Sequence, residues 1–226
     1  MKITFVEHAC FIIETRGKTI VTDPSIRDIE RAKRLHPQLN NPDIILLSHG
    51  HGDHLSSAHD LSGADTKVVA VVELAEALEN SFSTVALNLG GCVDIDGVTI
   101  SLTKAEHTSS MKVDGKDINV GAACGFIIDD GERVLYFTGD TAMFSDMKLI
   151  NDYYSPDVCI LPIGGWYTMD GKMASFVLKT LLTNVKTAIP MHYDTFPAIK
   201  ADPYAFAKSV GKERVVVLEK DKSLIV

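Results

Sequence analysis

Several things are scarce in this sequence, and each scarcity removes a class of function. The chain has only 4 cysteines in 226 residues. Cys10, Cys92, Cys124 and Cys159 form no C-x-x-C pair, which argues against a zinc ribbon or a thioredoxin-type redox motif. A disulfide framework is not expected in a chain of this size and compartment. Cys10, Cys124 and Cys159 lie in apolar, strand-like segments and read as buried, reduced thiols. No apolar run approaches the roughly 18 residues that a membrane span needs. Glu7 and His8 interrupt the apolar start before any small-residue cleavage site, so a soluble, cytoplasmic protein without a signal segment is expected. No basic patch is free of acids, since Asp28 and Glu30 interrupt the densest one, Arg27 to Arg34. With a formal net charge of −8, the surface should repel nucleic-acid phosphates. There is no internal repeat, low-complexity tract or linker.

What remains has ordinary globular composition, with 46% hydrophobic and 23% charged residues, and is long enough for a sizeable core. β-Branched and aromatic runs at 2–6, 10–14 and 18–22 predict short strands separated by turns. Residues 26–36 predict one or two helical turns, closed by Pro37 and Asn40-Asn41-Pro42. From there strands and helices alternate. Strands are expected at 43–47, 68–72, 84–89, 98–103, 123–128, 133–138, 157–162, 187–191, 214–219 and 223–226. Helices are expected at 73–80, 144–153, 174–182 and 202–210, the last with Pro203 in its first turn. The polar stretch 108–122 reads as an irregular loop, long enough to be functional and placed to cover a site beside His107. The pattern predicts an α/β domain spanning 1–226, with mixed sheets and helices packed outside them.

The chemistry concentrates at the end of the apolar strand 43–47. There the chain reads His49-Gly50-His51-Gly52-Asp53-His54. Imidazole nitrogens with a carboxylate and no thiol suit zinc, iron or manganese. Gly50 and Gly52 are expected to let the backbone turn tightly and to keep bulk away from a cation. In a chain with 8 histidines, an H-x-H-x-D-H run arises by chance about once in a thousand sequences. Single residues further on are weaker signals. His107 and His192 follow strands, and Asp140 in Thr138-Gly139-Asp140-Thr141 could equally be a turn or cap residue.

The histidine run resembles the signature of the metallo-β-lactamase superfamily. The chain as a whole resembles that superfamily's small metal-dependent hydrolases, relatives of the ascorbate-6-phosphate lactonases. The likeness rests on Lys2-Ile3-Thr4-Phe5 with His8, on Asp23-Pro24 and on the histidine run. It continues through His107, Thr138-Gly139-Asp140-Thr141, Leu161-Pro162-Ile163-Gly164-Gly165 and Pro190-Met191-His192-Tyr193-Asp194-Thr195-Phe196-Pro197. Two positions depart from the family pattern: Glu7 stands where glycine is usual, and Ser25 where a large apolar residue is usual. The resemblance implies a four-layer αββα sandwich of two mixed β-sheets with helices outside. It also implies a ligand set, with His49, His51 and His107 on a first metal, Asp53, His54 and His192 on a second, and Asp140 bridging them. Strand parity does not give this division, because 49, 51 and 53 share parity.

Such a centre holds two divalent ions, zinc first, with manganese, nickel or iron as alternatives. The ions share a hydroxide that serves as nucleophile. Counting the ions, two aspartates and the hydroxide, its charge is about +1. That charge favours a small, anionic substrate and a phosphodiester, cyclic ester or lactone as the bond attacked. Asp53 is the candidate for orienting the nucleophile and carrying a proton to the leaving group. His8, Trp166 and Tyr193 are candidates for substrate contact. For His8 the alternative is a purely structural turn histidine, and for Trp166 with Tyr167 it is packing. His36 and His59 read as surface residues, and Lys112 and Lys116 as solvated loop lysines. An iron-dependent redox enzyme and an RNA-processing nuclease are the alternative activities on the same fold. No nucleic acid or membrane is expected as a partner, and homo-oligomerisation is left open.

Overall fold

The computed structural model describes residues 1–226. Backbone contacts divide the chain into two compact units that interleave in sequence. The first comprises Met1–Gly91, Thr108–Ala123 and Glu219–Val226; the second comprises Cys92–His107 and Cys124–Leu218.

The first unit opens with β1 (Lys2–Glu7), β2 (Cys10–Thr15) and β3 (Lys18–Thr22), then α1 (Ile29–Leu35) and β4 (Ile44–Leu46). Two one-turn helices follow, α2 (Gly52–Leu55) and α3 (Ala58–Leu61), then β5 (Lys67–Val71), α4 (Val72–Leu78) and β6 (Ser83–Leu87). In the second unit lie β7 (Cys92–Ile95) and β8 (Val98–Lys104), before the chain returns to the first unit with β9 (Ser110–Val113) and β10 (Lys116–Asn119). The second unit then continues with β11 (Cys124–Asp129), β12 (Val134–Phe137), α5 (Met147–Tyr154), β13 (Val158–Pro162), α6 (Gly171–Thr180), β14 (Thr187–Met191) and α7 (Pro203–Val210). The last strand, β15 (Ser223–Ile225), belongs to the first unit. No helix is long and apolar enough to cross a membrane.

The sheet of the first unit has seven strands in the order β15-β1-β2-β3-β4-β5-β6. It is mixed: β1 to β3 are antiparallel, and β3 to β6 run parallel. Interior β4 is the uninterrupted run Ile44-Ile45-Leu46, buried at every residue, as a strand covered on both faces requires. The second sheet has six strands in the order β14-β13-β12-β11-β8-β7 and is also mixed. On one of its faces Ile127, Tyr136, Cys159 and Leu161 form a core with Met147 of α5, Val177 and Leu178 of α6, and Phe206 of α7. The two-residue side-chain period of the strands selects that set. Asp28, Asp170 and Asp202 cap α1, α6 and α7 by accepting backbone N–H bonds, which is where the sequence starts those helices.

Three sequence expectations need correction. Residues 108–122 are not an irregular loop, because β9 and β10 pair there as a hairpin around Asp114-Gly115. Residues 214–219 do not form a strand; Val215 makes a single parallel bridge to Ala188 of β14. The Ala188 N–H donates to the Arg214 carbonyl at 2.7 Å and the Val216 N–H to the Ala188 carbonyl at 2.9 Å. The next donor of the ladder would come from position 190, which is proline and has no N–H. His36 is not a surface residue: its ring is largely covered, and its Nε2 lies 3.0 Å from Asp221 Oδ1. With Arg31 donating to Asp221 Oδ2 at 2.6 Å, the charged segment around α1 is tied to the turn before β15. Burial opposes ionisation of Asp221, but the bonds from His36 and Arg31 outweigh it and hold the carboxyl below its usual range.

Candidate metal centre

Strand direction alone places the first group of candidates. β1, β3 and β4 run the same way, because β2 is antiparallel to both β1 and β3. Their carboxyl ends therefore share one sheet edge, where ligands gather in open α/β sheets. The end of β1 delivers His8, the end of β3 delivers Asp23, and the end of β4 delivers His49. The rest of the histidine run continues into α2, which carries Asp53 and His54.

The imidazoles there are packed ring to ring. The His49 centroid is 4.6 Å from that of His51 and 4.2 Å from that of His54. His49 and His54 are fully buried, whereas the Asp53 side chain is 40% exposed. Asp53 Oδ2 is 3.3 Å from His8 Nε2, and its Oδ1 is 4.0 Å from His54 Nε2.

Asp23, itself fully buried, organises this group. Its Oδ1 accepts the Ser48 backbone N–H at 2.7 Å, and its Oδ2 accepts the Ser48 hydroxyl at 2.6 Å. Oδ2 also lies 2.8 Å from His54 Nδ1. A carboxylate accepts, so Nδ1 of His54 carries the proton. The Ser48 hydroxyl has spent its proton on Asp23, so at 2.9 Å it accepts from His49 Nδ1. One carboxylate thus sets the tautomer of two histidines, directly and through a serine, and turns both Nε2 lone pairs away from itself. Metal-ligating histidines are oriented in this way. Asp23, His49 and His54 offer ligand atoms within 4.8 Å of one another. The Asp23 oxygens are committed to these hydrogen bonds, so it reads as the orienting carboxylate and not as a ligand. In the sequence Asp23-Pro24 stands only as a landmark of the family resemblance, and this role is not legible there. The available signal was an acid at the end of a buried strand.

The two glycines of the run differ. A Cβ on Gly50 would lie 2.5 Å from Val120 Cγ2 and 3.0 Å from the Ser110 carbonyl oxygen. Gly50 therefore admits the β9–β10 segment, and its N–H donates to Ser109 Oγ at 3.2 Å. A Cβ on Gly52 meets no other protein atom. Gly50→Ala should cost about 1–3 kcal/mol through overpacking, read as a lower melting temperature of the metal-free protein. Gly52→Ala, in open space, should stay within about 0.5 kcal/mol of wild type. Equal melting temperatures for both variants would contradict this assignment.

The second unit gathers the other candidates by the same logic. β8 and β12 are each antiparallel to β11, and β12 to β14 are parallel. His107, Asp140 and His192 follow β8, β12 and β14, so all three emerge at one edge. Asp140 Oδ2 lies 2.9 Å from His192 Nε2 and 3.8 Å from His107 Nε2. Asp140 and His192 are buried. The Glu106 N–H donates to Thr141 Oγ1 at 3.0 Å, and the Ala142 N–H to the Glu106 carbonyl at 3.0 Å. These bonds tie the segments bearing His107 and Asp140 together. A side chain on Gly164 would strike the His192 carbonyl oxygen, which accounts for glycine there.

The remaining candidates are dispersed. Trp166 is 80% exposed with φ +57°, an outlier for a bulky residue. Its ring meets Tyr167, Tyr167 meets Phe196, and Phe196 meets His192, at centroid distances of 6.5, 6.4 and 6.2 Å. Tyr193 packs against the helical core of its unit; burial, aided by Asp194, pushes its phenol up to about 12. Lys112 is paired with Asp117 at 3.0 Å. Cys10, Cys124 and Cys159 are buried as expected, while Cys92 is exposed.

The family pattern described as "Beta-lactamase superfamily domain" matches residues 2–192. A UPF0173 metal-dependent hydrolase of Thermoplasma volcanium is 42% identical over 221 residues, covering 96% of this chain and 95% of its own. Another from Methanocorpusculum labreanum is 36% identical over 221 residues, covering 97% and 95%. Among solved structures, Igni18, a metallo hydrolase of Ignicoccus hospitalis, matches with a TM-score of 0.83 at 31% identity, over 99% of this chain and 97% of that one. The two mixed sheets, the ordered histidine run and full-length likeness agree, and the chain belongs to the metallo-β-lactamase superfamily as a metal-dependent hydrolase.

Proposed function

We propose that His49, His51, His107, Asp53, His54, His192 and Asp140 hold one pair of divalent ions, and that the enzyme hydrolyses a phosphodiester, cyclic ester or lactone. The observation that carries this reading is the buried Asp23–Ser48 relay. It holds His49 and His54 in the tautomer that a metal ligand needs, and a buried carboxylate–histidine arrangement of this kind is characteristic of metal sites. The donor set fits: five imidazoles and two carboxylates, with no thiolate, suit zinc, manganese or iron. Seven donors exceed what one tetrahedral ion takes. When bound, the ions would supply an activated water and polarise the scissile oxygen.

The protein's own residues do the rest. His49, His54, Asp140 and His192 are buried and fixed, so the ligand frame costs little to reorganise during reaction. Asp53 differs from them in its exposure, and this suits a carboxylate that orients water and passes a proton to the leaving group. Two divalent ions, two carboxylates and one hydroxide would leave the loaded site at about +1. Such a site favours reactions that develop negative charge on the substrate.

A panel on metal-saturated protein tests this: bis-p-nitrophenyl phosphate, a lactone and a β-lactam, each followed to kcat/KM. Turnover of the diester or the lactone, with the β-lactam weak or inert, is expected. Efficient β-lactam hydrolysis with neither of the others turned over would overturn the substrate class.

A further inference from the structure

His8 occupies an uncommon position. It is the first residue of the two-residue turn joining β1 to β2, and its φ is +58°. Glycine, asparagine and aspartate are favoured at such a position in a tight hairpin, and a positive φ is uncommon for a residue with a side chain. Hairpin turns normally lie on the surface, yet His8 is only 5% exposed.

The backbone around it is pinned on both sides. Glu7, buried at 7% exposure, pairs with Lys220 at 3.0 Å and with Arg27 at 3.5 Å. The Thr22 hydroxyl donates to the Ala9 carbonyl at 2.9 Å, and Thr22 Oγ1 accepts from the Phe11 N–H at 3.1 Å. The glutamate that departs from the family pattern thus anchors the turn. From this fixed base the imidazole reaches α2, where its Nε2 is 3.3 Å from Asp53 Oδ2. The His8 ring stands edge-on to that of His54, with centroids 5.4 Å apart.

Asp53 sits in a four-residue helix, and its side chain is 40% exposed, so the helix alone does not fix its rotamer. We infer that His8 is a positioning residue: its Nε2, 3.3 Å from Asp53 Oδ2, holds that oxygen by electrostatic contact and so aims Oδ1 to the side where His54 Nε2 points. Oδ1 would then be placed to hold the second metal together with His54. The inference rests on the dinuclear reading above.

The test is calorimetric titration of Zn(II) into metal-free wild type, His8→Gly and His8→Gln. Glycine suits the positive φ, so His8→Gly removes the imidazole without straining the turn; melting temperatures of the metal-free proteins verify folding. Wild type should show two binding events. His8→Gly should keep the first and weaken the second by about 10–100-fold, the usual effect of losing a residue that orients a ligand. Glutamine carries an N–H donor of similar reach, and His8→Gln should recover most of the loss. An unchanged second event in folded His8→Gly overturns the inference, as does equal weakening of both events or a loss that glutamine does not repair. A single event in wild type overturns the dinuclear reading itself, and the His8 assignment with it.

Discussion

Asp53→Ala is expected to lower kcat by about 10²–10⁴-fold, the range associated with removing a general acid–base, with a smaller fall in the melting temperature of the metal-free protein than His54→Ala. The separation follows from where the residue sits. Its side chain is 40% exposed, so deleting it opens no core cavity. His54→Ala should also collapse kcat, but with a larger loss of stability. That ring is fully buried, packs against His49 at a tilt and is a partner of Asp23. Both variants must be compared at metal saturation, with kcat and KM resolved, because a change confined to KM would mean lost binding alone. Full activity in saturated Asp53→Ala would contradict the role given to Asp53.

The second large effect is expected at Asp23, a residue that touches no substrate. Asp23→Ala leaves the Ser48 N–H, the Ser48 hydroxyl and His54 Nδ1 without their carboxylate. Each buried polar group stripped of its partner costs about 1–3 kcal/mol, so a large fall in melting temperature is expected without metal. Zinc affinity should fall by about 10–100-fold as the two tautomers are released. Asp23→Asn separates the two effects. Its volume is nearly that of Asp, so packing is retained, but an amide N–H₂ facing His54 Nδ1 sets donor against donor. It should lose less stability than alanine and still weaken zinc. Wild-type zinc affinity in both variants would show that the relay does not orient the ligands.

How much of this was legible in the sequence differs by residue. The run from Ile44 into His49–His54 was legible because an uninterrupted apolar strand ending in histidines needs no tertiary context. His107, Asp140 and His192 were legible only as residues after strands. Their meeting depends on β8, β12 and β14 running the same way, which no local pattern records. The β9–β10 hairpin was hidden because its strands are short and polar, with Lys116–Asn119 exposed throughout, so they lack the alternation that marks a strand. β7 was hidden similarly, as a four-residue edge strand. The expected strand at 214–219 had the right composition, but Pro190 on its neighbour stops the ladder. Asp23 was the most consequential omission. An Asp-Pro pair reads locally as a strand end, and its part in fixing two histidines appears only once β3 and β4 lie in parallel register.

If two ions share one centre through Asp140, as proposed, its carboxylate must serve both; its Oδ2 lies 2.9 Å from His192 Nε2 and 3.8 Å from His107 Nε2. Elemental analysis of saturated, desalted wild type and Asp140→Ala tests it most directly. The account expects close to two ions per chain in wild type, consistent with seven donors, and loss of both together in Asp140→Ala. One ion in saturated wild type, or loss of a single ion from the variant with the other retained at full affinity, would contradict it.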